Sequence, residues 1–429
     1  MGKATSSPNA LATVRPLKPF SALTYRNFRL FWIGQVISLT GSWMQSAAQG
    51  WLVLKLTDSP FYLGLAGMAG GLPIILFSLA GGVAADRFSK RNMLLLTQVM
   101  FTALTLMLAV LVSAKIINVW HVLFFSFLIG MVSAFDIPAR QSFLMEMVGK
   151  ESLLNAIALN SAAFNGARVI GPAIAGFLIG YLDIAVCFYI NAVSFIAGII
   201  SYLRMRPDEM KTVEPPEAKL SLPGKRLFTD IFQEFKEGIK YIFTEPKIYT
   251  LIVFVAITSL FGFPYITFLP VYARDILKTG ATGLGVLMGS AGAGAFTGAV
   301  GLALKEDFKR KGMLFAAAGI TFPVALLLFS YSETPWFSSL MLFLVGWGAI
   351  SQMATANSML QITAPDRLRG RVMSAFTLMF LGMAAVGNFI VGSIAHRIGT
   401  QNAVATGAVL CLFGIVLLLW KKPEVLKIS

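Results

Sequence analysis

The sequence predicts an all-α polytopic membrane protein with twelve transmembrane helices arranged as two six-helix bundles. Its 429 residues are 56% hydrophobic and only 13% charged, and the mean hydropathy is +0.75, values that lie outside the usual range for soluble domains. The apolar residues form long runs, and several motifs of the first half return in the second half in the same order. These observations together predict a duplicated chain that crosses a membrane many times.

Twelve apolar runs are long enough to supply the ~20 residues that a helix needs to cross the hydrocarbon core. The first six cover residues 28–54, 61–84, 93–114, 119–135, 153–181 and 184–203. The second six cover residues 248–272, 282–304, 313–331, 336–360, 372–395 and 403–420. The predicted organisation is a cytoplasmic N-terminal tail at 1–22, an N-terminal six-helix bundle at 23–204, a cytoplasmic linker at 205–247, a C-terminal six-helix bundle at 248–421 and a cytoplasmic tail at 422–429.

The linker contains a predicted amphipathic surface helix, "LFTDIFQEFKEGIKYIF". Apolar residues recur there at helical spacing opposite charged ones, and the apolar face comprises Phe228, Ile231, Phe232, Phe235, Ile239 and Ile242. Such a helix can lie on the membrane surface or dock on the protein, and the pattern favours neither arrangement.

The distribution of basic residues predicts the orientation of the chain. An even number of spans places both termini on one side, and most of the 35 Lys and Arg residues then fall on that side. The other side carries only Lys55, Lys115, Arg274, Lys278 and Arg397, in short loops. The positive-inside rule therefore predicts that both termini are cytoplasmic.

Several function classes find no support in the sequence. The net charge of +15 is spread in short clusters between apolar runs, whereas a nucleic-acid binder needs its basic residues on one soluble face. Cys187 and Cys411 lie in separate apolar segments, and His121 and His396 fall near segment ends. Because no Ser/His/Asp set, metal-ligand spacing or paired carboxylates occur at membrane depth, we expect no enzyme, no metal site, no cofactor and no nucleic-acid partner.

The loop between the second and third predicted helices contains a motif that resembles one of a known superfamily. In "GGVAADRFSKR" the matching residues are Gly82, Asp86, Arg87, Lys90 and Arg91, and "GLALKEDFKR" after the eighth helix repeats part of the pattern. The loop resembles the signature loop of the major facilitator superfamily, although position 89, usually Gly there, is Ser89. Two parallel six-helix repeats joined by a long linker are also the fold of that superfamily.

Further motifs resemble the exporters within that superfamily. "GARVIGPAIAG" in the fifth helix, with Gly171 and Pro172, resembles their Gly-Pro motif. "TGSWMQSAAQGWLVLKLTDSP", "DIPARQSFLMEMV" and "PDRLRGRVMS" are similar to the branch that contains the enterobactin exporter and the macrolide efflux pumps. The resemblance implies a multi-pass transporter of the bacterial inner membrane that works by alternating access and is coupled to proton antiport.

The resemblance also implies a conformational latch at the cytoplasmic ends of the helices. Asp86 would meet the start of the eleventh helix when the protein opens outward, since a carboxylate is favoured near a helix N-terminus. The second copy has Lys305 at this place, so the latch would be asymmetric. Asp136 and Arg140, four residues apart, can pair on one helix face, and we favour a structural role for them near the interface. The latch candidates are Gly82, Asp86, Arg87, Arg91, Asp136, Arg140, Gly171 and Pro172.

A polar stripe along the first helix predicts a central cavity. Five polar residues recur there at steps of three and four, and a shorter stripe follows in the tenth helix. Polar side chains can join helices, at about 0.6 kcal/mol each, but five in register favour a water-filled cavity. The predicted cavity residues are Gln35, Ser38, Ser42, Gln45, Gln49, Asn165, Arg168, Ser351 and Thr355.

Arg168 is the charge that the sequence places at mid-membrane, where it costs roughly 2.5–3.5 kcal/mol. Pro172 clashes with the carbonyl of Arg168 and predicts a bend in the helix. A structural arginine and a substrate-contacting one both remain open. Because no Asp or Glu falls in the middle of a span to offset Arg168, the cavity is predicted to be net positive. Such a cavity favours an anionic or electron-rich amphipathic substrate over an organic cation.

These features together predict an exporter of a small amphipathic compound, such as a siderophore or an antibiotic. A lipid or lysophospholipid flippase is the alternative, and a lateral opening between helices would distinguish it. The expected partners are the small-molecule substrate, protons and membrane lipids, and we expect the chain to be a monomer.

Overall fold

A computed structural model describes residues 20–211, 240–303 and 311–427, which are almost entirely helical. The helices of the first half are α1 at Arg26–Thr57, α2 at Pro60–Arg87, α3 at Lys90–Ser113, a long helix at Val119–Tyr181 that Gly149 divides into α4 (119–148) and α5 (150–181), and α6 at Ile184–Leu203. The helices of the second half are α7 at Pro246–Ile276, α8 at Gly280–Ala303, α9 at Lys311–Ser330, α10 at Pro335–Thr363, α11 at Asp366–Ile398 and α12 at Thr400–Lys421.

The number of helices is consistent with the twelve predicted spans. Within the described ranges, ten helices are long and apolar enough to cross a membrane. One of them is the 63-residue helix Val119–Tyr181, which supplies two spans. The remaining span is α1, which has 32 residues and whose polar stripe lowers its hydropathy. The chain is therefore an all-α membrane protein.

The connection between α4 and α5 differs from the sequence expectation. The apolar runs end at residue 135 and begin again at residue 153, whereas the structure continues the helix through this interval with one break. Gly149 makes the break with φ 70° and ψ −178°, a conformation that Gly adopts without the strain of a side chain. As a consequence Asp136, Ala139 and Phe143 are buried within the first half instead of lying near a loop.

The two halves meet on one side of the membrane and diverge on the other. We call the side where α1 begins and α12 ends the terminal side, and the side where α1 ends and α2 begins the opposite side. Near the opposite side, a Cβ at Gly64 of α2 would lie 2.9 Å from the Cα of Gly392 in α11. On the terminal side, Gly82 of α2 and Gly370 of α11 have no atom of another described element within 4 Å of the corresponding position. The molecule is therefore open towards the terminal side.

A second pair of helices closes the opposite side in the same way. A Cβ at Gly176 of α5 would lie 2.9 Å from the Cα of Gly285 in α8 and 2.7 Å from the carbonyl oxygen of Ala281. Such backbone contact requires glycine, because any side chain would push the helices apart.

Part of the expected organisation lies outside the described residues. This is true of the N-terminal tail up to residue 19, of Lys305 and of the linker helix before residue 240. The end of that helix, residues 240–244, is described and helical, and Ile242 is buried in the core of the protein. This end therefore contacts the protein through Ile242, whereas Phe243 beside it is exposed.

Candidate substrate cavity and its gates

A cavity of about 790 Å³ lies between the two halves. All six helices of the first half line it, together with α7, α8, α10 and α11 of the second half. The lining extends towards the terminal side as far as Gln141 of α4. On the opposite side the contacts of α2 with α11 and of α5 with α8 close it.

The five polar residues of the α1 stripe, Gln35, Ser38, Ser42, Gln45 and Gln49, all line this cavity. Two of them also join helices. The Oε1 atom of Gln45 accepts hydrogen bonds from Thr105 of α3 and Asn191 of α6, and the Nε2 atom of Gln49 donates to Ser126 of α4 at 2.8 Å. The two roles that the sequence left as alternatives therefore coexist in one stripe.

Other helices contribute lining residues that the sequence reading missed. The polar ones are Thr105, Ser126, Ser133, Gln141, Asn160, Asn191, Thr267, Asn357 and Thr377. The aromatic ones are Phe101, Phe164, Phe195, Phe376 and Phe380. Single amides within apolar runs, such as Asn191 and Asn357, are the signal that could have identified the polar members.

Arg168 and Asn165 are not part of the lining. Arg168 is buried, with its guanidinium carbon 5.5 Å from the centre of the Trp43 ring of α1. Its charge also interacts with the hydroxyl of Tyr265 in α7, although that hydroxyl makes no hydrogen bond of good geometry. Asn165 is buried too, and its Nδ2 atom donates to the carbonyl of Ser161. The expectation that both face the cavity does not hold in this conformation, because Arg168 packs against the Trp43 ring and Asn165 bonds back to its own helix.

The Gly-Pro motif of α5 lies at the same contact. The helix continues through Pro172, which leaves the carbonyl of Arg168 without its usual donor. That carbonyl faces α8, where a Cβ at Gly292 would lie 2.8 Å from its oxygen. Gly171 packs against α1, where an added Cβ would lie 2.6 Å from the carbonyl oxygen of Thr40. The motif therefore brings α5 close to both α1 and α8.

Ser351 and Thr355 of α10 are also buried away from the cavity. The hydroxyl of Thr355 donates to the carbonyl of Ser351 at 2.7 Å, and Ser351 packs against Gly298 of α8. Asn357, two positions along the same helix, lines the cavity instead. Two residues correspond to roughly 200° of helical rotation, so the shorter stripe was assigned to the wrong face of α10.

Asp136 and Arg140 occupy a more central position than the sequence predicts. They form an ion pair in which the Asp136 side chain is 2% exposed and the Arg140 side chain 20% exposed, and both line the cavity. Asp136 also accepts a hydrogen bond from Thr97 of α3 at 2.8 Å. The expectation of a solvated, inexpensive charge does not hold for Asp136, because its carboxylate is buried on the cavity wall.

The charged loop between α2 and α3 is bound within the first half. Lys90 forms an ion pair with Glu146 of α4 at 2.6 Å, and Arg91 donates to the carbonyl of Tyr202 at the end of α6. Asp86 and Arg87 are exposed. Among the described residues, Asp86 makes no contact with the start of α11 in this conformation, so the predicted latch stays a prediction.

On the opposite side a charged contact joins the halves. Arg274 of α7 donates hydrogen bonds to Asp58, at 2.6 Å, and to the carbonyl of Leu54 at the end of α1, at 3.2 Å. The sequence reading used Arg274 only for topology. Because cations are rare on that side of the sequence, Arg274 could have been singled out as a candidate for a contact between the halves.

Comparison with known proteins identifies the family of the chain. A family model described as a transmembrane secretion effector matches residues 17–427. The chain belongs to this family of the major facilitator superfamily. It is therefore a multi-pass membrane transporter of small molecules and not an enzyme.

Characterised relatives of this transporter span nearly its whole length. The staphyloferrin A transporter of Staphylococcus aureus is 26% identical, over 86% of this chain and 90% of its own. The multidrug efflux pump Tap of Mycolicibacterium fortuitum is 24% identical, over 88% and 91%. The enterobactin exporter of Shigella flexneri is 22% identical, over 92% of each chain. The resemblance to the branch of the enterobactin exporter is thereby confirmed.

Solved structures agree with the fold. A POT family transporter in complex with a thioalcohol-conjugated peptide superposes with a TM-score of 0.76 at 14% identity, covering 93% of this chain and 96% of the other. At this identity the likeness extends to the major facilitator fold alone.

Proposed function

We propose that this transporter exports a small amphipathic, anionic compound, such as a siderophore or an antibiotic, across the bacterial inner membrane by alternating access. The observation that carries the proposal is the cavity of about 790 Å³ between the halves, with the polar stripe of α1 on one wall and Phe376 and Phe380 on another. Polar and aromatic walls together suit an amphipathic molecule. Relatives that transport siderophores or drugs support the same substrate class.

The direction of export follows from the proposed orientation. The positive-inside rule makes the terminal side cytoplasmic, with the tails and the linker at 205–247 on that side. The open cavity would then accept substrate from the cytoplasm, and the bundles at 23–204 and 248–421 would rock about it as two bodies of one monomer.

We propose further that transport is coupled to proton antiport through Asp136. It is the acidic residue that lines the cavity in the described part of the chain. Ionised Asp136 holds the guanidinium of Arg140 in place, and a protonated Asp136 would release it. Proton binding and substrate binding would then exclude each other, as exchange requires.

Everted membrane vesicles test the proposal, because they expose the cytoplasmic side to the medium. We expect enterobactin or staphyloferrin A to accumulate inside vesicles with an acidic interior, and a protonophore to abolish the accumulation. Vesicles containing the Asp136→Asn variant, whose side chain resembles protonated Asp136, should bind substrate more weakly and should not concentrate it. Accumulation in right-side-out vesicles only would contradict export.

A lipid translocator is the second candidate, favoured by the helix contacts. The α2–α11 and α5–α8 contacts lie towards the opposite side, so each pair diverges towards the terminal side and leaves a lateral path to that leaflet. A fluorescent lysophospholipid in proteoliposomes, quenched from outside with dithionite, tests this function. Translocation that a siderophore does not inhibit would support the lipid candidate.

A further inference from the structure

The wall of the cavity contains an ion pair whose positive partner is more exposed than its negative partner. We propose that Arg140 binds the anionic group of the substrate and that Asp136 and Thr97 are the residues that position it. This inference rests on the proposed function of the cavity, and it specifies which residue would recognise the charge of the substrate.

The inference that Arg140 binds the substrate rests on the different exposure of the two side chains in the ion pair. The Arg140 side chain is 20% exposed and that of Asp136 is 2% exposed, although the pair as a whole is neutral. The Arg140 side chain is therefore more accessible to a ligand in the cavity than the carboxylate of Asp136. Because both groups line a partly desolvated cavity, the nearer charge dominates the local field.

Asp136 holds the Arg140 guanidinium in a defined orientation and leaves some of its N–H donors unused. Asp136 accepts from Arg140 through Oδ2 and from Thr97 through Oδ1, so that both of its oxygens are engaged. A guanidinium has five N–H donors, and the Nε atom of Arg140 is buried without a partner in the described structure. Planar N–H pairs of this kind match a carboxylate or a phosphate in a bidentate contact.

The other residues that line the cavity are uncharged, and their polar side chains can donate further hydrogen bonds to a ligand. The Oε1 atom of Gln45 already accepts two hydrogen bonds, from Thr105 and Asn191. The amide nitrogen of Gln45 is thereby left as its free polar atom towards the cavity. Arg168, which the sequence placed in the cavity with its role left open, packs against Trp43 instead. The ligand class that fits is an aromatic or amphipathic organic anion that carries an additional hydrogen-bond acceptor.

Three fluorescent probes with one aromatic body test this assignment on the purified full-length protein. Dansylglycine is an anion, dansylamide is neutral and dansylcadaverine is a cation, and binding is read from the rise in dansyl fluorescence. We expect the wild type to bind dansylglycine at least tenfold more tightly than dansylcadaverine. A ratio of this size is what one charge-assisted bidentate contact contributes to affinity. The Arg140→Gln variant should lose this preference and keep its affinity for dansylamide within about twofold.

Additional variants separate the contact from folding and from general electrostatics. Removing Arg140 alone leaves the buried Asp136 charge unpaired, so the double variant Asp136→Asn/Arg140→Gln, which is neutral, should fold and show the same loss of preference. Arg140→Lys should keep part of it, since it retains the charge but not the planar fork. Arg206→Gln, which alters a surface ion pair with Glu209, is the matched control and should behave as wild type.

The outcomes separate this inference from the proposed function. An undiminished preference for dansylglycine in the folded double variant would overturn the role of Arg140, even if vesicle transport is outward. Equal affinity of the wild type for the three probes would overturn it as well. Binding of no probe would count against the anionic substrate class and against Arg140 together. Intact, Arg140-dependent preference with inward transport would support the subsite and contradict export.

Discussion

Arg274 and Asp58 link the two halves of the transporter across the opposite side, with 2.6 Å between Nη1 and Oδ1. Asp58 has φ 48° and follows the last residue of α1, so its carboxylate stands beside the carbonyl groups at the end of that helix. Arg274 contacts the carboxylate and the carbonyl of Leu54 together. A cation is favoured at a helix C-terminus, and this contact therefore stabilises the state that is closed on the opposite side.

Arg274→Gln is expected to increase the population that is open on the opposite side. The pair is partly exposed, and such pairs contribute on the order of 0.2–1 kcal/mol, which corresponds to a shift of roughly 1.4- to 5-fold. Spin labels at Ile116 and Glu333, one in each half, report the separation by pulsed electron resonance. Cys187 and Cys411 are buried and free, so they should not interfere with labelling.

The matched control for this experiment is Arg397→Gln. Arg397 is an exposed cation of the second half on the same side, and no contact with the first half is described for it. Its distance distribution should equal that of the wild type. An equal shift in both variants would show that net charge, and not the Arg274–Asp58 contact, sets the population.

The ion pair of Asp136 and Arg140 should give an asymmetric stability response. Arg140→Gln leaves a buried carboxylate without its cation, and breaking a buried pair in this way is strongly destabilising. Asp136→Asn leaves a guanidinium that is partly exposed to the cavity and can reach water. We expect the Tm in detergent to fall most for Arg140→Gln and to recover in the double variant. Additive losses in the double variant would contradict direct coupling.

Sequence periodicity identified the cavity wall on α1 but not the walls that depend on how helices are rotated. Gln45 and Gln49 lie on one face at helical spacing, and that face can only avoid lipid by turning inward. For Ser351 the helix was identified but its rotation was not, because Gly298 of α8, against which it packs, is distant in sequence. The burial of Asp136 was missed because α4 continues beyond the apolar run that defined its end.

Arg168 should affect the conformational cycle more than substrate binding. It lies between Trp43 and Tyr265, outside the cavity lining, at the contact that closes the opposite side. Arg168→Gln should therefore keep dansylglycine affinity within about twofold and slow transport in vesicles. Arg168→Lys preserves the charge but loses stacking on the indole ring. Its transport rate should lie between those of the wild type and of Arg168→Gln. A large loss of dansylglycine affinity with normal transport would restore the substrate-contacting role.

Gly176→Ala tests whether closure of the opposite side depends on direct backbone contact between α5 and α8. The added Cβ would lie 2.7 Å from the carbonyl oxygen of Ala281, so the helices must separate. Overpacking of this kind costs about 1–3 kcal/mol, and it should shift the distance distribution of the Ile116 and Glu333 labels towards opening by about 5- to 150-fold.

Gly166→Ala is the control for that substitution on the same helix, because no atom lies within 4 Å of its Cβ position. It should leave the distribution unchanged or stabilise the helix slightly, since alanine has the higher helix propensity. A variant that is held open on the opposite side should also lose access of dansylglycine to the cavity from the terminal side. If the halves were apart at both ends, the cavity would be a continuous leak across the membrane. Full dansylglycine access from the terminal side in a Gly176→Ala protein that is open on the opposite side would contradict alternating access.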